Sequence, residues 1–276
     1  MNTLKIILML AALSGILLVV GTVVGGKIGL VMALILSTVM NIGGYWYSDR
    51  IVLKMYNAKA ITRADSPVLY SVVQGLANKE RMPMPKIYII ADKSPNAFAT
   101  GRDENHAAIA VTSGILDLLT RDELTGVIAH ELTHIRNRDI LIGTMAATIA
   151  SAVVIVAGVA KWTAMMGGAG PDGEGTVALI ATAIVAPVAA TLVQMAISRS
   201  REYDADEGAA KMTGNPEALA GSLEKLSLAS RKTPLDANPA TAHLFIVNPL
   251  AGNMVMNLFS THPPLEKRIA RLRGMK

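Results

Sequence analysis

Two histidines four residues apart, with a glutamate directly after the first, are the residues of this chain best suited to chemistry: His130, Glu131 and His134. On a helix, residues four apart lie on one face, so both imidazoles can bind one metal ion while Glu131 stands beside them. Neutral imidazoles leave Zn²⁺ cationic enough to lower the pKa of bound water from about 15.7 to roughly 7, and Glu131 can then accept the proton. The H-E-x-x-H pattern predicts a hydrolytic zinc centre, against the alternative of two surface histidines and a solvated glutamate.

The helix that would carry this centre is well specified between residues 120 and 139. Thr120 followed by Glu123 predicts a capping box at its start, because each side chain can bond the other residue's backbone N–H. A stripe of apolar residues at helical spacing predicts the buried face: Leu124, Val127, Ile128 and Leu132. The two imidazoles should therefore stand on a rigid platform.

Composition indicates a membrane protein. The 276 residues are 51% hydrophobic and only 17% charged, which lies outside the range of ordinary soluble domains. The net charge of +5 is modest and is concentrated at one membrane surface, so no nucleic-acid partner is expected. The chain has no cysteine, which excludes disulfides, thiolate zinc ligands and a cysteine nucleophile.

Four apolar runs are long enough to cross a bilayer, at residues 6–24, 28–47, 140–160 and 176–197. None carries a charge at its centre, and they form two hairpins. Two alternatives remain open, a cleaved signal peptide for the first run and the buried helices of a large soluble core for all four.

The distribution of basic residues predicts the orientation of these spans. The turn between the first two runs offers only Lys27, whereas the chain after the second run carries Arg50, Lys54, Lys59, Arg63, Lys79, Arg81 and Lys86. The positive-inside rule then places the N-terminus, the motif helix and the C-terminus in the cytoplasm of a multi-pass protein of the cell (inner) membrane.

Four segments follow from this topology. Residues 1–48 form an N-terminal transmembrane hairpin, and residues 49–139 form a cytoplasmic catalytic segment that contains the motif helix. Residues 140–197 form a second transmembrane hairpin, and residues 198–276 return to the cytoplasm to complete the catalytic domain. The strand order within that domain does not follow from such short runs.

The second hairpin brings distant residues back to one membrane surface. Glu202 follows it closely, and a predicted helix over residues 198–210 places Glu202 and Asp206 four apart on one face. Glu202 can complete the metal site and leave a fourth position for water, while Asp206 can accept the N–H of a ligand histidine. The alternative is that both carboxylates are solvated charges on a juxtamembrane helix.

The polar segments alternate between helical and strand patterns. Helices are predicted at residues 66–79 and 216–230, and strands at residues 86–91 and 107–112, with a short edge strand at residues 96–100 that Gly101 ends. Residues 234–253 have a loop-like composition. A basic helix follows two prolines near the C-terminus, and His262 precedes them as either an oxyanion stabiliser or a capping or packing residue.

Four motifs in this order resemble the HtpX family of membrane zinc endopeptidases, within the wider Ste24-like M48 group: NAFATG, GVIAHELTHIRNRD, SREYDAD and THPPLEKR. The resemblance covers essentially the whole chain. It implies an integral membrane protein, mainly α-helical with four transmembrane helices, and a cytoplasmic α+β catalytic domain of the zincin-like (gluzincin) type.

The resemblance also assigns roles. It implies one Zn²⁺ per chain held by His130, His134 and Glu202, with Glu131 as the base and Asp206 orienting a ligand. It further implies that peptide substrates lie along the edge strand at Asn96, Ala97, Phe98 and Ala99. Family members cleave membrane or misfolded proteins at the cytoplasmic face, in envelope stress response and quality control, so polypeptides and the lipid bilayer are the expected partners.

Three other functions are alternatives to a general zinc endopeptidase. A zinc-stabilised membrane scaffold or chaperone would hold substrates without cutting them. A transporter or channel is disfavoured because the apolar runs lack the intramembrane ionisable residues that line a path. A prenyl-protein peptidase is a relative's activity, but four spans offer little to enclose its substrate.

Overall fold

The computed structural model describes residues 2–143, 199–233, 241, 244–247 and 263–275. Most of the third predicted span, all of the fourth and His262 lie outside these residues. The predictions made for them therefore stay predictions.

A long helix at the N-terminus, α1 (Asn2–Met55), is broken at Gly26, whose φ of 56° and ψ of −134° are not helical. Its two halves fold back on each other, since the Asn41 amide donates to the Ser14 hydroxyl at 2.8 Å. Near the turn the two backbones touch, and a Cβ atom added to Gly21 would lie 2.5 Å from the Gly29 carbonyl oxygen. Only glycine allows this approach, so the GGK turn at residues 25–27 closes a tight helical hairpin.

One helix among the described residues, Gly26–Tyr47, is long and apolar enough to cross a membrane, with a mean hydropathy of 1.7. It coincides with the second predicted span, and it supports membrane association by length and composition. The predicted count of four spans stays a prediction.

A four-stranded sheet forms the centre of the polar part of the chain. In sequence order its strands are β1 (Lys59–Ala60), β2 (Lys86–Ile90), β3 (Ala97–Gly101) and β4 (Ala107–Thr112). Their spatial order is β1-β2-β4-β3, with β2 and β4 parallel and the other two pairs antiparallel. Strand β3 therefore lies at an edge, where the sequence predicted a short edge strand, although Gly101 is its last residue rather than its terminator.

Six further helices among the described residues surround the sheet. Four of them match predicted helices to within three residues at each end, and a fifth is the basic helix predicted after the two prolines. They are α2 (Pro67–Lys79), α3 (Ser113–Leu118), α4 (Arg121–Arg136), α5 (Arg199–Thr213), α6 (Pro216–Lys232) and α7 (Leu265–Arg273). The sixth, α3, is a short turn that had not been expected. Its start is fixed by Thr112, whose hydroxyl accepts from the Ile115 N–H.

Alternation along the strands builds two cores on opposite faces of the sheet. Ile109 and Val111 of β4 join the main core with α2, α4, α5 and α6. Ala108 and Ala110 join a second core with Phe98 and the end of α1. The sheet is thus held between the helix that carries the motif and the helix that leads out of the candidate span.

The end of β3 also contacts the candidate span. The Arg102 guanidinium lies 4.6 Å from the centre of the Trp46 ring, a cation–π contact. Because Trp46 is near the end of the span, the edge of the sheet is attached to the helix where it would leave the bilayer.

Candidate active site

The motif helix α4 begins with the predicted capping box. The Thr120 hydroxyl accepts from the Glu123 N–H, and the Glu123 carboxylate accepts from the Thr120 N–H at 2.9 Å. Lys225 of α6 adds an ion pair to Glu123 at 2.8 Å. The helix start is therefore fixed from both sides, and ten residues further on the motif lies buried between β3 and α5.

One close contact between α4 and α5 sets the position of the third candidate ligand. A Cβ atom added to Gly208 of α5 would lie 2.4 Å from the Thr133 side chain of α4, so only glycine fits there. This contact holds α5 against α4 along one line, and Glu202 consequently reaches the two imidazoles. The sequence predicted that Glu202 would return to the motif. It did not predict the contact between Gly208 and Thr133, because no local sequence pattern marks a contact between two helices.

His130, His134 and Glu202 bring their ligand atoms within 4.8 Å of one another. The two Nε2 atoms are 3.2 Å apart. The Glu202 carboxylate lies 3.8 Å from the His130 Nε2 through one oxygen and 3.5 Å from the His134 Nε2 through the other. The three side chains surround one point from three directions.

These separations fit a zinc ion. Bonds of about 2.0 to 2.2 Å in a tetrahedral arrangement require ligand atoms roughly 3.3 to 3.6 Å apart, close to the distances found here. Two imidazoles and one carboxylate are also the donor set of a catalytic rather than a structural site, because one position stays open. His130, His134 and Glu202 can therefore hold a single zinc ion.

His130 is held from behind by a buried ion pair. Its Nδ1 lies 3.0 Å from Asp206, as expected if Asp206 orients the ring. Asp206 in turn accepts two hydrogen bonds from Arg268, at 2.8 Å from Nε and 2.7 Å from Nη2. Arg268 is fully buried, and its Nη1 also lies 3.3 Å from Glu202, so one guanidinium supports two of the three candidate ligands.

Arg268 is a site residue that the sequence did not reveal. It lies in the basic C-terminal helix α7, where neighbouring arginines are on the surface. Burial opposes the charge of both partners, but Arg268 lowers the pKa of Asp206 and Asp206 raises that of Arg268. The pair is thus fixed in its charged form, as bidentate geometry favours.

His134 has a different support. Its Nδ1 lies 3.4 Å from Asp139, which follows the end of the motif helix. Arg138, with a φ of 59°, turns the chain back so that the Asp139 N–H donates to the His134 carbonyl at 3.0 Å. Asp139 was part of the predicted motif stretch but had been given no role.

The two imidazoles differ in proton affinity. Burial lowers the pKa of His130 to about 4. Burial also disfavours the charged form of His134, but Asp139 and Glu202 outweigh it and raise the pKa of His134 to about 10. A metal ion binds neutral imidazole, so a proton on His134 would compete with metal binding more strongly than a proton on His130.

Glu131 is buried beside the three candidate ligands, with 3% of its surface exposed. The Ala99 N–H of β3 donates a hydrogen bond to its carboxylate, but burial outweighs this and raises the pKa of Glu131 to about 7. A carboxyl group with a pKa near neutrality can both accept and return a proton. This is what the predicted role of Glu131 as a general base beside a metal ion requires.

The edge-strand residues are close to this centre but already have partners. The Asn96 side chain bonds the backbone of Val247, Ala97 accepts from Ile246, and Phe98 packs into the second core. Ala99 contacts Glu131. Their predicted role in substrate binding stays a prediction.

The family model of Peptidase family M48 matches residues 63–276, which include the motif and both later segments. The chain belongs to peptidase family M48. A Protease HtpX homolog from Desulforapulum autotrophicum is 54% identical over 276 residues, covering 99% of this chain and 89% of that relative. A Protease HtpX homolog from Thermococcus kodakarensis is 51% identical, covering 96% of this chain and 93% of that relative. The resemblance noted in the sequence is confirmed.

A solved structure supports the fold. The crystal structure of S. mikatae Ste24p matches 86% of this chain with a TM-score of 0.52 at 19% identity. The chain spans 57% of the length of that protein, so the likeness is one of fold alone.

The family and its relatives decide between the functional classes. M48 peptidases are metallopeptidases. Both relatives are named as proteases, and this chain matches nearly the whole length of each. The chain is accordingly a membrane-associated metalloprotease, and the non-catalytic scaffold is not favoured.

Proposed function

We propose that this member of family M48 is a zinc-dependent endopeptidase that cleaves membrane or misfolded proteins at the cytoplasmic face of the cell membrane. The observation that carries the proposal is the convergence of His130, His134 and Glu202 within 4.8 Å, with Glu131 buried beside them. Two imidazoles, one carboxylate and an adjacent base are what metal-assisted hydrolysis of an amide needs.

The zinc ion, when bound, supplies a Lewis acid that makes water a nucleophile near neutral pH. Glu131 takes the proton of the attacking water and later passes it to the nitrogen of the leaving amine. Its pKa of about 7 suits both transfers, since it is neither a strong acid nor a strong base at that pH. Asp206 orients the His130 ring for metal binding through Nε2.

The location rests on the charge pattern around the apolar runs. Arg50 and Lys54 follow the candidate span Gly26–Tyr47 directly, and Lys27 alone stands at its other end. The positive-inside rule then puts the sheet and the metal centre in the cytoplasm, together with both chain termini. The second hairpin, residues 140–197, completes the multi-pass arrangement in this proposal.

The substrate is proposed to lie extended along β3. An edge strand binds a peptide through backbone groups, whatever the side chains of the peptide, and this suits an endopeptidase with many substrates. Phe98 points into the second core. The side chains of Ala97 and Ala99 lie on the α4 side of the sheet, and both are small.

The proposal is tested with detergent-purified, zinc-loaded full-length protein and an unfolded test polypeptide such as carboxymethylated α-lactalbumin. Wild type should cleave it, and Glu131→Gln should keep one zinc per chain while losing at least a thousand-fold in rate. Glu131→Gln is matched in size, so its zinc content separates loss of the base from loss of the site. Undiminished cleavage by this variant would remove Glu131 from the mechanism.

A second variant tests the metal site. Glu202→Ala should bind less than a tenth of the zinc that wild type binds, measured by metal analysis after dialysis. Partly exposed Glu207 on the same helix gives the control, because among the described residues its carboxylate makes ion pairs with Lys211 and Arg271, away from the metal site. Full zinc occupancy in Glu202→Ala would show that the third ligand lies elsewhere.

A further inference from the structure

Residues 244–247, which we call the edge segment, lie against the outer side of β3. In the antiparallel pair of β3 and β4, the Asn96 carbonyl accepts from the Thr112 N–H at 2.9 Å, so it faces inward. Alternate residues turn their backbone groups to opposite sides, which leaves those of Ala97, Ala99 and Gly101 on the open edge. The edge segment binds this edge at Ala97, because the Ile246 N–H donates to the Ala97 carbonyl at 3.0 Å.

Every backbone polar group of Ile246 and Val247 has a partner at this edge. The Ile246 carbonyl accepts from Arg268 at 3.3 Å. The Val247 carbonyl accepts from the Asn96 amide at 2.9 Å, and the Val247 N–H donates to the same amide's oxygen at 3.4 Å. The backbone of these two residues is bound in the way that an edge strand holds an added peptide, and their side chains pack into the main core.

The edge segment also runs beside the metal site. Nη1 of Arg268 is 3.3 Å from the Ile246 carbonyl and 3.3 Å from the Glu202 carboxylate. The side chains of Ile246 and Val247 are buried, at 2% and 3% exposure. One guanidinium therefore separates this piece of the chain from a candidate zinc ligand.

Aromatic packing and one hydroxyl pair anchor the edge segment. The Phe245 ring lies 5.1 Å from the Tyr56 ring and 5.2 Å from the Phe98 ring, both in edge-on geometry. The Tyr56 hydroxyl bonds the Thr241 hydroxyl, just before the segment. These anchors lie on the side of the sheet away from Glu131, so they can be changed without touching the catalytic groups.

An endopeptidase needs substrate residues on both sides of the bond it cuts. Because Ala99 touches Glu131, the scissile bond of a peptide on β3 must lie near Ala99. On one side of Ala99, β3 offers only Gly101, where the strand ends. On the other side of Ala99 lies Ala97, whose carbonyl is already bonded by the edge segment. A peptide therefore cannot pair with β3 on both sides of Ala99 while the edge segment is bound there.

We propose that the edge segment is an autoinhibitory occupant of the substrate line, which an incoming polypeptide must displace from Asn96 and Ala97. This inference rests on the proposed function, in which peptides bind along β3. The competing structural arrangement is a permanent fifth strand that confines substrate to Ala99 and Gly101.

Hydrogen exchange measured by mass spectrometry decides between them. Zinc-loaded Glu131→Gln protein is compared with and without saturating carboxymethylated α-lactalbumin. Displacement predicts at least ten-fold faster exchange of the Ile246 and Val247 amides together with slower exchange in β3. Slower exchange in β3 with an unchanged edge segment would overturn the inference but keep the proposed function, whereas no change anywhere on binding would overturn both.

Cleavage by anchor variants gives an independent test. Tyr56→Phe and Thr241→Val remove the two halves of one hydroxyl pair, and each should raise kcat/KM about three-fold, mostly by lowering KM. Tyr70→Phe, a partly buried tyrosine of α2 on the other face of the sheet, is the control and should leave the rate unchanged. Unchanged or lower kcat/KM in both anchor variants would contradict autoinhibition.

Discussion

The two histidines of the motif are alike in sequence but differ in how the fold supports them. His130 is 1% exposed and is held by Asp206 at 3.0 Å, with Arg268 behind it in two further hydrogen bonds. His134 is 15% exposed, and its carboxylate partner Asp139 is 3.4 Å away. The same metal site thus has a closed, charge-paired side and a more open side.

The difference shows how a buried polar cluster is kept stable while one part of it remains adjustable. A buried charge is costly unless it is paired and hydrogen-bonded, and on the His130 side each charge has its counterpart. On the His134 side, solvent reaches the ring and the partner is attached to a turn rather than to a helix. We expect the His130 side to resist change and the His134 side to follow the state of the metal.

The largest effect should come from removing the guanidinium behind His130. Arg268→Met keeps much of the side-chain volume but leaves the Asp206 charge buried without its partner, a loss of about 3 to 5 kcal/mol. Thermal unfolding in detergent should show a much lower Tm, and zinc binding should weaken as well.

The matched control for this variant is Arg271→Met, one turn further along the same helix. Arg271 is 46% exposed and its ion pair with Glu207 is on the surface, so the Tm should hardly change. Equal loss of Tm in the two variants would contradict the distinction between a buried pair and a surface pair.

Metal removal should have the second largest effect, because it removes the free energy that bound zinc adds to the folded state. At a free zinc concentration a hundred times the Kd, the bound ion adds about 2.7 kcal/mol, which a chelator should remove and added zinc restore. Hydrogen exchange in the apo protein should rise first around residues 134–139. If it rose first at residues 128–131, the His130 side would be the adjustable one.

Substitution of the two carboxylate partners compares the sides directly. Partners of ligand histidines typically contribute 10- to 100-fold to metal affinity. We expect Asp206→Asn to lower zinc affinity about 100-fold and Asp139→Asn about 10-fold, measured by competition with a chromogenic chelator. A larger loss for Asp139→Asn would reverse the comparison.

The smallest effect should come from the capping box, which lies outside the site. Thr120→Ala removes the hydroxyl that accepts from the Glu123 N–H and should cost about 1 kcal/mol of stability. Zinc affinity should stay within two-fold of wild type, since the motif lies ten residues further along the helix. A large loss of zinc would show that the helix start positions both histidines.

The sequence predicted the features of the site that depend on local pattern. The capping box, the four-residue spacing of the motif and the spacing of Glu202 and Asp206 are properties of single helices, and all appear where expected. The return of Glu202 followed from pairing apolar runs across a membrane. Strands β2 and β4 were readable because β-branched residues, joined in β2 by Tyr88, are concentrated in each of them.

The missed features depend on contacts between distant residues or on backbone angles. Arg268 is separated by 62 residues from its partner Asp206, and nothing in a basic helix marks one arginine as buried. Asp139 reaches His134 only because Arg138 adopts a positive φ, which arginine rarely does. The edge segment reaches β3 through backbone hydrogen bonds, which leave no mark in a sequence, and the composition of residues 234–253 predicted a loop.

If the candidate span crosses the bilayer as proposed, the contact between Arg102 and Trp46 links the bilayer mechanically to the edge of the sheet. The candidate span Gly26–Tyr47 contains 22 residues, so it is about 33 Å long, and a change in tilt of 10° would shift its end by roughly 6 Å. A shift of that size exceeds the distance between adjacent residues along a strand, which is about 3.4 Å. Membrane thickness would thereby act on β3 through one cation–π contact, and lipids of different chain length would strain the same edge by different amounts.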